Sequence, residues 1–199
     1  MRLPLPLRHA ALAAATTLAL CACSSTPESG DTTSASAGTP AAAAAISTAK
    51  AATVNLASAS GSLVSGKLSV MPMGDGVHLR GEIGGLGANA THAIHIHEKG
   101  DCSAADASSA GGHFNPSGSA HGRVSSGAHH GGDMDNIVSN AEGVATVDVH
   151  ASGVTLGGGA ANDVAGKAVV VHAAPDDYTS QPAGNAGARV ACGVINVTR

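Results

Sequence analysis

His92-Ala93-Ile94-His95-Ile96-His97 is the stretch on which the fold turns. Ile94 and Ile96 alternate with His95 and His97 in a β-favouring run. In a strand of side-chain period two, both imidazoles therefore leave one face, with their Cα atoms about 6.6 Å apart. Two nitrogens so placed can meet at one ion, although a pair of histidines would equally suit a polar strand face. The downstream sequence favours the ion. His113, His121 and His130 follow at intervals of eight and nine residues through a Gly/Ser/Ala-rich segment, and Asp133 comes two glycines after His130. A loop with so little to pack can be ordered by a metal instead of a core, and three imidazole nitrogens with one carboxylate oxygen suit tetrahedral zinc. Seven of the eleven histidines lie between His92 and His130, and His172 stands apart as a further candidate. His129, beside His130, is an alternative ligand, whereas His78, His92 and His150 lack such company and read as surface residues.

Working outward, short β-like runs at 53–57, 66–71, 76–83, 92–97, 143–149, 167–172 and 189–197 are broken by glycine-rich turns. That punctuation predicts an all-β sandwich or barrel. No long amphipathic helix is visible beyond a weak pattern at 41–52. With one Phe, one Tyr and no Trp, the core must be built from Val, Ile, Leu and Ala. Such side chains bury less area per residue, which raises the value of external staples. At the start of the chain, Arg2 and Arg8 give a positive stretch before an apolar run at 10–20 that is too short to span a bilayer, so 1–22 reads as an export leader. In Leu20-Cys21-Ala22-Cys23 small residues precede Cys23, as in a bacterial lipoprotein cleavage box. Cys23 is then the lipidated first residue of the mature chain, anchoring it to a membrane. Residues 23–52, rich in Ser, Thr, Ala, Gly and Pro, read as a disordered tether. Residues 53–199 are long enough for one domain with its own core.

The segments His95-Ile96-His97-Glu98-Lys99-Gly100-Asp101-Cys102, Gly111-Gly112-His113-Phe114-Asn115-Pro116, His121-Gly122, His130-Gly131-Gly132-Asp133-Met134, Val171-His172 and Gly187-Ala188-Arg189-Val190-Ala191-Cys192-Gly193-Val194-Ile195 resemble the copper/zinc superoxide dismutases, most of all their bacterial exported branch. The likeness runs in order from about residue 53 to 198. It implies an eight-stranded Greek-key β-barrel with two long metal-binding loops, at about 100–140 and 173–188. It also implies copper redox cycling of superoxide to dioxygen and hydrogen peroxide, with one copper and one structural zinc per chain.

Position by position, the resemblance makes His95, His97, His113 and His172 copper ligands and His113, His121, His130 and Asp133 zinc ligands. The two-residue spacing to the aspartate selects His130 over His129. Asp176 matches the carboxylate that links a copper-side and a zinc-side histidine, with Asp177 as its neighbouring confusion. His113 bridges the metals and delivers a proton, and Arg189 is the anion guide, its guanidinium offering a permanent charge and two donors. If Cys21 leaves with the leader and Cys23 carries lipid, Cys102 and Cys192 remain, and an exported compartment permits them to pair. The resemblance pairs the same two. It further implies a monomer or homodimer at the periplasmic face of the cell envelope.

The whole chain has a formal charge of −4. Without Arg2 and Arg8, eight cations face fourteen acids, a charge of −6, so attraction of superoxide must be local to Arg189 and the metals. Sparse Lys and Arg give no basic stripe for nucleic acid. The 178–188 loop lacks the charged residues that line the channel of animal enzymes, leaving Lys99 and Arg123 as weak steering candidates. A metal-buffering module or a zinc-only structural lipoprotein would share many ligands, but neither needs an anion guide.

Overall fold

A computed structural model describes residues 46–198; the leader, Cys23 and most of the tether fall outside them. The described chain forms strands β1 (Ala51–Ser58), β2 (Ser65–Met73), β3 (Gly76–Gly84), β4 (Thr91–His92), β5 (Ile94–His97), β6 (Ile137–Val138), β7 (Ala145–Ser152), β8 (Ala168–His172) and β9 (Arg189–Thr198), with one 3-10 turn at Ser108–Ala110. Seven strands make an antiparallel sheet in the order β5-β8-β9-β1-β2-β3-β7, and β4 pairs with β6. Because β6 also lies beside β7, and β4 runs straight into β5, the sheet curls back on itself. This is the expected all-β Greek-key barrel, with eight strands when β4 and β5 are taken as one run.

That run is interrupted at Ala93. Its N–H donates to Ala174 O and its carbonyl accepts from His172 N–H, each at 2.9 Å, so β4 can turn to β6 while β5 pairs with β8. The barrel also begins earlier than the composition suggests. Thr48 and Ala49 N–H donate to Leu156 O at 3.0 Å, and Leu156 N–H donates to Ser47 Oγ at 2.9 Å. The last residues of the expected tether thus lie on the domain, and no helix forms over the described part of 41–52. Backbone pairing by small polar residues leaves no apolar pattern to read.

Val54, Leu56, Leu68, Val70, Val77, Leu79, Val147, Val149, Val169 and Val171 alternate inward from their strands to form the main core. β8 is buried on both faces. Its outer side, Ala168 and Val170, packs with Ala59, Ala107, Ala110 and Cys192, so the segment after β5 folds down over the barrel wall. The Cys102–Cys192 disulfide, with Cα atoms 5.7 Å apart, fastens that segment to β9. The barrel is thereby fixed against the loops that carry the remaining site residues.

Candidate metal centre

β5 sends Ile94 and Ile96 into the core and His95 and His97 out of its other face, both imidazoles buried. His113 arrives opposite His97, because three backbone bonds of 2.8 Å stitch the loop to the strand: Phe114 N–H to Ile96 O, Gly132 N–H to Phe114 O, and Ile96 N–H to Gly132 O. A Cβ on Gly132 would stand 2.1 Å from Ile96 O, so only glycine lets the loop carrying His130 and Asp133 come this close. His172 ends β8, where the register with β9 shifts.

These elements gather two buried sets. Ligand atoms of His95, His97, His113 and His172 lie within 4.8 Å of one another, as do those of His113, His121, His130 and Asp133. His113 belongs to both.

The hydrogen bonds decide which atom each ring offers. His95 donates from Nε2 to Asp176 Oδ2 at 2.8 Å, and its Nδ1 is buried with no partner. His97 donates from Nδ1 to Gly111 O at 2.9 Å, and its Nε2 faces His172 Nε2 at 3.4 Å. His113 Nδ1 lies 2.8 Å from Asp133 Oδ1 and 3.4 Å from His130 Nδ1, while its Nε2 is buried and unpartnered. His121 donates from Nε2 to Asp176 Oδ1 at 2.9 Å, and its Nδ1 stands 3.0 Å from Asp133 Oδ1 without the alignment of a hydrogen bond. Unpartnered nitrogens converging in a buried pocket are costly unless an ion takes their lone pairs. The donor set, imidazole with one carboxylate, suits copper and zinc.

Burial, which penalises a charged imidazole, holds His95 down at about 4, His172 at about 3 and His97 at about 2. The neutral form a metal requires is therefore maintained. At Asp133 burial raises the carboxyl, but the contact with His113 and the N–H groups of His130 and Gly122 outweigh it and hold it well below the usual range.

Asp176 is buried and joins the two sets through His95 and His121. Its own backbone is clamped from both sides by Asn136, which accepts from Asp176 N–H at 2.9 Å and donates to Asp176 O at 3.0 Å. Gln181 grips the His121 backbone in the same reciprocal way, both bonds 2.9 Å, and Tyr178 Oη accepts Asn136 N–H at 2.9 Å. Gly184, at φ 64°, packs on this carboxylate; a Cβ there would lie 1.7 Å from Asp176 Oδ1. Sequence reasoning missed Asn136, Gln181, Tyr178 and Gly184, since single amides and glycines in a loop carry no pattern. Asp177 instead caps its own turn through Thr179 and Ser180.

Arg189 donates to Ala107 O at 2.7 Å and to Gly111 O at 2.6 Å. With His97, His113, His172, Pro182 and Asn185 it lines a cavity of about 630 Å³. Neither Lys99 nor Arg123 lines that cavity; Arg123 is engaged with Asp135 at 3.0 Å and lies over the Tyr178 ring. His129 donates to His130 O at 2.7 Å and accepts from Ser152 Oγ at 3.0 Å, outside both sets. His92, expected on the surface, is buried behind His172, donating to its carbonyl at 2.9 Å. The break at Ala93 turns it inward.

A β-barrel whose loops gather two imidazole-rich pockets around a shared histidine defines a two-metal protein. The family described as copper/zinc superoxide dismutase (SODC) matches residues 64–195. A "Superoxide dismutase [Cu-Zn] 2" of Aquifex aeolicus is 43% identical over 147 residues, covering 72% of this chain and 85% of that protein. A "Superoxide dismutase [Cu-Zn]" of Caulobacter vibrioides is 43% identical over 136 residues, covering 66% and 78%. The crystal structure of a SOD-like protein from Bacillus subtilis superposes with a TM-score of 0.65 at 33% identity, covering 72% of this chain and 97% of that one. The chain belongs to the copper/zinc superoxide dismutase family. It is an oxidoreductase acting on superoxide, with copper and zinc as its metals.

Proposed function

We propose that His95, His97, His113 and His172 hold copper, that His113, His121, His130 and Asp133 hold zinc, and that superoxide reaches the copper side past Arg189. The observation that carries this reading is His113, which stands in both sets with Nδ1 against Asp133 and Nε2 buried and unpartnered. When bound, copper supplies one-electron exchange between Cu(II) and Cu(I), whereas zinc, without redox chemistry, supplies charge and geometry.

The chain's residues do the rest. The Arg189 guanidinium is held by the Ala107 and Gly111 carbonyls, so its charge is fixed at the cavity where a small anion enters. His113, with Nδ1 directed to the zinc side, would offer Nε2 either to copper or to a proton, one of the two that peroxide formation consumes. Asp176 keeps His95 and His121 in one orientation, and fixed orientation and tautomer raise ligand basicity.

The leader and Cys23 support an envelope role, in which a lipid on Cys23 holds the enzyme at the periplasmic face against superoxide arising there. Two substitutions test these assignments. Asp133→Ala should release zinc while copper is retained; parallel loss of both metals contradicts the two-site reading. Cys23→Ser should abolish lipid attachment, and mass spectrometry finding an unlipidated mature chain that starts elsewhere contradicts the anchor.

A further inference from the structure

We propose that the outer face of β2, β3 and β7 carries a third metal site, for monovalent copper, built from Met71, His78 and His150. In the sheet register Met71 is opposite His78, and His78 is opposite His150. Their strand neighbours Val70, Val77, Leu79, Val149 and Ala151 belong to the core. Alternation therefore puts the three side chains in one row on the outside, with Cβ atoms of opposed residues about 4.5–5.5 Å apart. The two imidazole centroids are 6.1 Å apart. That is inside the 4.1 to 6.5 Å spread of the four-histidine set.

The wiring of the two rings repeats that of a metal ligand. His78 Nε2 is bonded to Asp148, and His150 Nε2 lies 3.0 Å from Asp75 Oδ1, just as His95 Nε2 is bonded to Asp176. A carboxylate on the far nitrogen sets the ring and strengthens the near nitrogen as a donor. His78 Nδ1 is buried and has no hydrogen-bond partner, a condition it shares with His95 Nδ1. Two surface ion pairs would explain the carboxylates but not that orphaned nitrogen.

Thioethers decide the metal. Met71 and Met73 share the outer side of β2 and are 40% and 47% exposed, half of the chain's four methionines on one small patch. Thioether sulfur beside imidazole selects Cu(I) over hard divalent ions. Arg80, a cation on the same face, is opposite Asp148 in register and 3.4 Å from it. Arg80 is thus engaged with a carboxylate rather than turned on the row.

The test uses the full mature chain with both catalytic sites filled, titrated without oxygen with Cu(I) against a coloured Cu(I) chelator. One further equivalent should bind. His78→Ala/His150→Ala should lose it and keep the catalytic copper, the zinc and superoxide consumption, which also report that the variant is folded. Met71→Leu should weaken Cu(I) and leave Zn(II) binding unaltered. Asp75→Asn should weaken Cu(I) by about 10- to 100-fold. The proposal is overturned if no further equivalent binds, if it survives in the double variant, or if Met71→Leu or Asp75→Asn leaves Cu(I) affinity unchanged.

Discussion

His97 and Arg189 donate to the same oxygen, the carbonyl of Gly111, at 2.9 Å and 2.6 Å. One peptide unit therefore fixes the His97 ring and the Arg189 guanidinium together, so the two keep a constant separation. Gly111 is held in turn by the 3-10 turn at Ser108–Ala110 and lies in the segment that the disulfide binds to the barrel wall.

Arg189→Ile should keep both metals and cut superoxide turnover at least about tenfold, since steering by a focused local charge is worth factors of roughly 10 to 1000 in association rate. Arg189→Lys should fall between, because charge survives while the fork spanning Ala107 and Gly111 does not. Rates measured against ionic strength should fall less steeply in the Ile variant than in the wild type. Equal rates and equal salt response would remove Arg189 from its role.

Gly184→Ala places a methyl group where Asp176 Oδ1 now sits, in a backbone conformation that disfavours a side chain. The bridge between His95 and His121 should break, and zinc retention should weaken by about 10- to 100-fold, as loss of outer-shell partners commonly does. Metal release measured against a chelator reports it.

Cys102→Ser should lower unfolding free energy by about 2–5 kcal/mol, the usual cost of removing a native disulfide from a small domain. Because the same bridge seats the segment holding Ala107 and Gly111, turnover should fall too. Chemical denaturation and superoxide consumption on one preparation measure both.

Acid should destabilise the metal-free protein well before its carboxylates titrate. Burial holds His95 at about 4, His172 at about 3 and His97 at about 2 in the fold, against about 6.5 in the unfolded chain. Below about pH 6.5 the unfolded chain therefore binds protons that the pocket refuses, and stability falls as pH falls toward the folded values. His121 runs the opposite way: burial disfavours its charge, but the bond to Asp176 and the Asp133 carboxylate raise it. Burial also lowers His130, so four lowered histidines outweigh one raised. Thermal melts of metal-free protein should drop between about pH 6.5 and about pH 4, while the His121 contribution is lost as pH rises above about 6.5.

Much of this was legible in the chain because metal ligands are written in residue type. His95-Ile96-His97 showed its strand by alternation, and His113, His121, His130 and Asp133 stood out in a segment with nothing else to pack. Two other kinds of information were not visible. The supports of the site, Asn136 on Asp176 and Gln181 on His121, act through their amides on backbone brought close only by folding, so spacing is silent about them. Edges of elements set by backbone pairing were also hidden: the break at Ala93 that buries His92, the docking of Thr48 and Ala49 on Leu156, and the two-residue strand β6. The glycines of Gly131-Gly132 read as a lack of packing, yet Gly132 is where the loop touches Ile96 most closely.

Superoxide chemistry, as proposed above, resides in the four-histidine pocket and depends on copper held there. Metal-free protein first given one zinc per chain and then titrated with copper, with superoxide consumption measured at every addition, tests it most directly. Activity should rise in proportion to copper, reach its plateau at one copper per chain, and be absent from His172→Ala under the same loading. Activity already complete with zinc alone, or none at full copper loading, would contradict it.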